Sequence, residues 1–206
     1  MQFPNARILI FAKAPEPGYV KTRLIPALGA EGAADLYIHL LKQTVESVTA
    51  ANLSPVQLWC APDSKHAFFQ QLANQYHLSL YDQSGTDLGE RMYGAAERAL
   101  KESEAAVLIG ADCPLLNDGH LNQSLQWLMD GNDAVVGPAE DGGYVLLGLR
   151  QTDAMLFEDM PWGGDQVLKL TRKRLAGLGR HWQELDSLWD LDRPADFKRW
   201  QQQQNQ

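Results

Sequence analysis

The sequence predicts an α/β fold: a single three-layer α/β/α domain on a mainly parallel sheet with an antiparallel portion. Two observations carry that expectation. Up to Gly131, short apolar runs rich in Val, Ile and Leu alternate with stretches of helical periodicity. That is the pattern of parallel strands joined by helices that cover both sheet faces. After Gly131 the alternation breaks, and two apolar runs follow one another across the short segment AEDGG. An antiparallel or edge arrangement is expected there.

The apolar runs are RILIF (7–11), VQLWCA (56–61), LSLYD (78–82), AAVLIGA (105–111), DAVVGP (133–138) and YVLLGL (144–149). Helices are expected at 31–51, 64–76, 87–103 and 117–129. The first places Leu36, Leu40, Leu41, Val45 and Val48 on one stripe, the signature of a helix with a buried face. A helix at 164–177, a short strand at 181–186 and a last helix at 194–203 finish the chain. No linker-like stretch divides it and no internal repeat is visible. Residues 1–200 are therefore read as one domain, and the polar QQQQNQ, 201–206, as a frayed tail.

Composition limits the function. Lys and Arg total 18 against 26 Asp and Glu, a formal charge of −8. That argues against general nucleic-acid binding, which draws its affinity from a basic face. It leaves room for a small anionic ligand at a locally basic spot. Cys60 and Cys113 are far apart without metal-type spacing, and the five histidines show no zinc pattern. Reduced, buried thiols in a cytoplasmic protein are expected. The start lacks a basic segment followed by a long apolar core, so no secretory signal is expected, and no apolar run is long enough for a bilayer.

In open α/β sheets ligands gather at the carboxyl ends of the parallel strands, and polar, Gly- and Pro-rich segments fall at those ends here. The first is FAKAPEPGYVKTRL, with Lys13, Lys21 and Arg23 in an otherwise acidic chain. Lysine offers a point charge and arginine a bidentate fork, both suited to phosphate; a solvated turn with scattered cations is the plainer alternative. VLIGADCPLL runs a buried strand into Gly110 and Asp112. A carboxylate at that place suits Mg²⁺ or Mn²⁺, held by one or two carboxylates plus substrate phosphates, or else it caps the following turn. SGTDLGERM reads as a helix start, where Gly85, Thr86 and Asp87 are candidates for nucleoside contact as well as for capping. GPAEDGGYVLLGL brings Glu140 and Asp141 before Gly142 and Gly143, either a plain hairpin turn or an acidic group beside a close backbone approach. LWDLDRPADF holds Asp190 and Asp192, open as helix-start or metal residues. Trp162 and Trp189 are the tryptophans expected in a pocket wall.

Taken together and in order, these five blocks resemble the bacterial DUF2064 family of the nucleotide-diphospho-sugar transferase superfamily, from Ile8 to about Phe197. The opening loop also resembles that of 2-phospholactate guanylyltransferases and, more distantly, of molybdenum cofactor guanylyltransferases. The resemblance implies a GT-A-type fold and a Mg²⁺- or Mn²⁺-dependent transferase. Its ligands would be a nucleoside triphosphate or nucleotide sugar and a small acceptor, with no nucleic acid and no membrane. It implies Lys21 and Arg23 as phosphate-stabilising cations with Lys13 assisting, and Asp112 as metal ligand. Gly85, Thr86 and Asp87 would lie at the nucleoside. Asp141, Gly142 and Gly143 would lie at the acceptor or donor phosphate, with Asp141 as second metal ligand. Two departures stand out. The Gly-rich opening of sugar nucleotidyltransferases is APEPGYVK here, and the D-x-D of glycosyltransferases is G-A-D. Nucleotidyl transfer to a phosphorylated acceptor is the leading expectation. Glycosyl transfer and a non-catalytic nucleotide-binding module are the alternatives.

Overall fold

The computed structural model describes residues 1–204. Seven strands and six helices follow in the order β1 (Ala6–Lys13), α1 (Ile25–Ala51), β2 (Val56–Ala61), α2 (Ala67–Tyr76), β3 (Ser79–Asp82), α3 (Leu88–Leu100), β4 (Ala105–Ile109), α4 (Asp118–Met129), β5 (Ala134–Pro138), β6 (Tyr144–Leu149), α5 (Val167–Gly177), β7 (Trp182–Glu184) and α6 (Pro194–Gln204). The expected alternation is present. The largest boundary shift is at α1, which begins six residues before the expected 31 because Pro26 sits at its opening, where a missing N–H costs nothing. Gly29, at φ 72°, kinks this first turn away from the rest. Helix α6 runs through Gln204, so 201–204 of the expected tail are helical, while 205–206 lie outside the described residues.

The strands form one sheet in the order β3-β2-β1-β4-β6-β5-β7. β1 pairs in parallel with both β2 and β4, with Ile8 against Val56 and Ile10 against Ile109. β6 is antiparallel to both of its neighbours, β4 and β5, which is the irregularity signalled after Gly131. From β1 the chain proceeds to β2 and β3 on one side, then returns to β4 on the other. The loops leaving β1 and β4 therefore diverge and open a crevice at their carboxyl ends, the topological switch point where ligands bind in such sheets.

Period-two alternation divides the core between the faces. Ile8, Ile10 and Ala12 of β1 join Leu41, Val45 and Leu125 on the side of α1, α2 and α4. Leu9 packs with Trp59, Met92 and Leu147 on the side of α3 and α5. All five residues of the expected α1 stripe are buried. A smaller cluster gathers Leu24, Leu36, Leu40, Trp189 and Leu191, so Trp189 is core rather than pocket wall, covered by the Arg199 guanidinium 4.6 Å from its ring. No helix among the described residues is long and apolar enough to cross a membrane.

Leu147, 1% exposed in β6, packs in the core cluster that includes Leu9, Trp59 and Met92. Leu147→Ala is expected to cost about 2–5 kcal/mol. In a chain of this size that lowers Tm by at least about 4 °C, measurable by calorimetry.

Candidate active site

Two adjoining compartments open at the switch point. One is bordered by Lys13, Tyr19, Lys21, Arg23 and Gln83. The other is bordered by Asp141, Asp190, Tyr144, Trp162 and Met92. Phe11, Arg23, Leu88, Gly110, Asp112 and Asp192 belong to both and form the boundary. Positive charge is concentrated on one side and negative charge on the other, and the segments that follow β1, β3 and β4 meet there through Arg23, Leu88 and Asp112.

The boundary is built around Lys21. Its side chain is 3% exposed, and Nζ lies 3.0 Å from Asp112 Oδ2 and 3.9 Å from Asp192 Oδ1. A buried ammonium is tolerated only with such partners. Its backbone is left-handed, φ 47° and ψ 40°, a conformation that costs about 1–3 kcal/mol outside glycine and concentrates at functional sites. The loop is fixed at its other points too. The Lys13 N–H donates to Tyr37 Oη of α1 at 2.8 Å, the Ala14 N–H to the Ala61 carbonyl at 2.7 Å, and His66 Nε2 meets Glu16 Oε1 at 2.9 Å. Arg23, half exposed, pairs with Asp192.

Asp112 stands where β4 ends, and the glycine two residues earlier has a steric reason. A Cβ on Gly110 would come within 2.8 Å of Asp112 Oδ1. The carboxylate folds back over Gly110, so a side chain at that position would require the Asp112 carboxylate to shift. The late segment is tied to the same spot, because the Leu191 N–H donates to the Asp112 carbonyl at 2.8 Å. That bond sets Asp190 and Asp192, alternate residues on one side of an extended stretch, beside Asp112. The sequence left these two open; the alternation of WDLD was the available signal.

The other candidates divide. Asp141 borders the acidic compartment, and its Oδ1 accepts from the Gly143 N–H at 2.9 Å. Gly143 borders the same compartment. Gly142, at φ +91°, allows close packing, since a Cβ would lie 2.3 Å from the Asp165 carbonyl oxygen. Gly85, Thr86 and Asp87 border neither compartment. Asp87 Oδ1 accepts from the Glu90 N–H at 2.8 Å, and Glu90 Oε2 accepts from the Thr86 N–H at 2.7 Å, a helix cap that engages these groups. The segment's contribution to the pocket is Leu88, which the sequence did not single out. Of the two tryptophans, Trp162 is in the wall and meets Tyr144 edge to face, 6.4 Å between centroids.

Among the described residues there is no ready-made cage of three or more His, Cys, Asp or Glu side chains. A Mg²⁺ or Mn²⁺ ion completed by substrate phosphates needs only one or two carboxylates. Asp112, 38% exposed at its side chain, and Asp192, 27% exposed, offer hard oxygens at the mouth, and Asp190 lies behind them. This donor set fits such an ion. The cysteines do not contribute: burial pushes the Cys60 and Cys113 thiols up to about 12.

Desolvation, then the negative charge of Asp112 and Asp141, pushes the Asp190 carboxyl up to about 6. A raised folded-state value means the folded protein holds this proton more tightly than the unfolded chain. That contribution is complete below about 4 and is lost as pH rises through about 6. In metal-free buffer, the Tm of the wild-type protein is expected to fall over that window relative to Asp190→Asn, whose profile is flatter. Parallel profiles for the two proteins would contradict this.

Comparison with known proteins agrees with the geometry. Residues 44–164 match the family described as an uncharacterized protein conserved in bacteria, DUF2064. The phosphoenolpyruvate guanylyltransferase of Rubrobacter xylanophilus is 30% identical over 195 residues, 92% of each chain. A crystal structure from Desulfovibrio desulfuricans G20, assigned as a nucleotide-diphospho-sugar transferase, is 29% identical with a TM-score of 0.86, over 94% of this chain and 85% of that one. The 4-diphosphocytidyl-2C-methyl-D-erythritol synthase of Anaerococcus prevotii shares the fold, with a TM-score of 0.64 at 10% identity over 98% of this chain and 97% of its own. The chain belongs to the DUF2064 family and is a nucleotide-using transferase with the GT-A-type fold of the nucleotide-diphospho-sugar transferase superfamily.

Proposed function

We propose that the protein transfers a nucleotidyl group from a nucleoside triphosphate to a small phosphorylated acceptor, with Mg²⁺ or Mn²⁺ as cofactor. The observation that carries this reading is the partition of charge: a basic compartment and an acidic one share a single boundary at Arg23 and Asp112. A triphosphate would lie on the basic side, with Lys13 at its mouth and Lys21 and Arg23 against the phosphates. The acceptor would lie on the acidic side. The activity of the Rubrobacter xylanophilus relative makes GTP the first triphosphate to test.

In the reaction, a phosphate oxygen of the acceptor attacks the α-phosphorus. The bond from that phosphorus to the α,β-bridging oxygen breaks, and pyrophosphate leaves with the electron pair. The acceptor phosphate already carries an available lone pair, so no side chain has to remove a proton. What the protein must supply is alignment and compensation of charge. Lys21 is held rigidly by its buried ion pairs and its constrained backbone, so its charge is aimed before substrate arrives. Arg23, more exposed, adds a fork that can engage phosphate oxygens once released from Asp192. Asp112, with Asp192 as a second carboxylate, would hold the metal; when bound, the ion would neutralise phosphate charge and orient the triphosphate. Gly85, Thr86 and Asp87 would act at the nucleoside from the rim through α3's start. Asp141 would border the acceptor, with Gly142 and Gly143 shaping its turn.

With GTP, Mg²⁺ and a phosphorylated acceptor, the expected product is pyrophosphate. Release of nucleoside diphosphate from a nucleotide sugar instead would contradict this reading. Asp112→Asn and Lys21→Met are each expected to lower kcat about 10²–10³-fold with the fold retained by circular dichroism. Gly110→Ala is expected to lower kcat less than Asp112→Asn, because the new methyl group shifts the carboxylate without removing its charge.

A further inference from the structure

The acidic compartment has a second property: most of its wall is apolar. Phe11, Leu88, Met92, Tyr144, Trp162 and Val167 line it opposite the carboxylates. Met92 is 8% exposed and packs with the core beneath, while Tyr144 and Trp162 hold one another edge to face. Burial raises the Tyr144 phenol well above its usual range, so its ring presents a neutral surface. Arg23, at the boundary, is the one Lys or Arg among the described residues lining this compartment.

Three backbone donors nearby are engaged. The Gly143 N–H donates to Asp141, the Gly142 N–H to the Ala139 carbonyl, and the Gly164 N–H to the Pro161 carbonyl. The start of α5 directs its Leu168 N–H at the Gly142 carbonyl, and Asp165 stands two residues ahead of that helix. An anionic group carried deep into this compartment would lose its water against apolar side chains and face Asp141.

Resting on the nucleotidyl-transfer reading, we infer that the acceptor is a phosphomonoester whose organic part is uncharged and apolar. Its phosphate stays at the boundary beside Arg23, and its body lies against the wall formed by Met92, Tyr144 and Trp162. A phosphate ester bearing a second acidic group, the class to which phosphoenolpyruvate belongs, is disfavoured. The transfer remains balanced: the ester's phosphate oxygen forms the new bond to the α-phosphorus, the α,β-bridge breaks, and the pyrophosphate takes the electron pair. The organic part is unchanged. Apolar contact would supply the acceptor's affinity and a few polar groups its orientation, as in most small-molecule pockets.

The test is isothermal titration of wild-type protein loaded with Mg²⁺ and the α,β-methylene analogue of GTP. Phenyl phosphate and phosphoenolpyruvate are titrated in turn. Phenyl phosphate is expected to bind at least tenfold more tightly. In Trp162→Ala, phenyl phosphate is expected to weaken at least fivefold while the affinity for the GTP analogue, which also reports the fold, stays within twofold. Equal or tighter binding of phosphoenolpyruvate overturns the inference and leaves nucleotidyl transfer standing. Unchanged binding of phenyl phosphate to the variant overturns it as well. If none of the four α,β-methylene nucleoside triphosphates binds the wild-type protein, the parent reading fails and the inference fails with it.

Discussion

The buried ion pair between Lys21 and Asp112 is the constraint on which the site depends. It joins the loop leaving β1 to the segment leaving β4 across the gap that the sheet's strand order opens. β1 and β4 are parallel neighbours, so the two loops start side by side, and the pair fixes how they meet. Forming it requires Lys21 to adopt a left-handed backbone and to give up nearly all of its hydration. Two carboxylates at 3.0 and 3.9 Å offset that loss. The result is a positive charge whose position is set by the fold and not by the substrate, which is what preorganised electrostatic catalysis needs.

The same pair marks where the charge of the crevice divides. Lys13, Lys21 and Arg23 come from one loop, so their charge is confined to one side. Asp112, Asp141, Asp190 and Asp192 arrive from three distant segments and collect on the other. They converge because the Asp112 carbonyl accepts from Leu191 and because Leu188 bridges to Ala139. Desolvation by burial, and then the charges of Asp112 and Asp141, hold Asp190 in a state that favours the proton. Lys21 and Arg23 offset part of this negative charge through their pairs with Asp112 and Asp192.

Much of this was legible in the sequence, and what was not has physical causes. The strand and helix order followed from periodicity, since alternation and helical stripes survive in every buried element. The pairing of β6 against both neighbours was foreshadowed by the two consecutive apolar runs after Gly131. Lys21, Arg23 and Asp112 stood out because cations and a carboxylate at strand ends conflict with a purely structural role. Asp190 and Asp192 were left open because their position depends on one backbone hydrogen bond to a residue far away in sequence. Gly85, Thr86 and Asp87 carried a strong local signal, but that signal is a helix cap, and capping needs the same residue types as nucleoside contact. Leu88 and Met92 were invisible as wall residues, since an apolar side chain on a helix reads as core wherever it points. The G-A-D in place of D-x-D is a departure that the sequence alone does not explain. The structure shows a space already filled by Asp112's own oxygen.

The most direct measurement is a crystal structure of the protein with the α,β-methylene analogue of GTP and Mn²⁺, the ion located by its anomalous signal. The triphosphate should lie within hydrogen-bonding distance of Lys21 and Arg23, with the anomalous peak on Asp112. A triphosphate bound among Asp141, Tyr144 and Trp162, or a metal peak remote from Asp112, would contradict the two-compartment site.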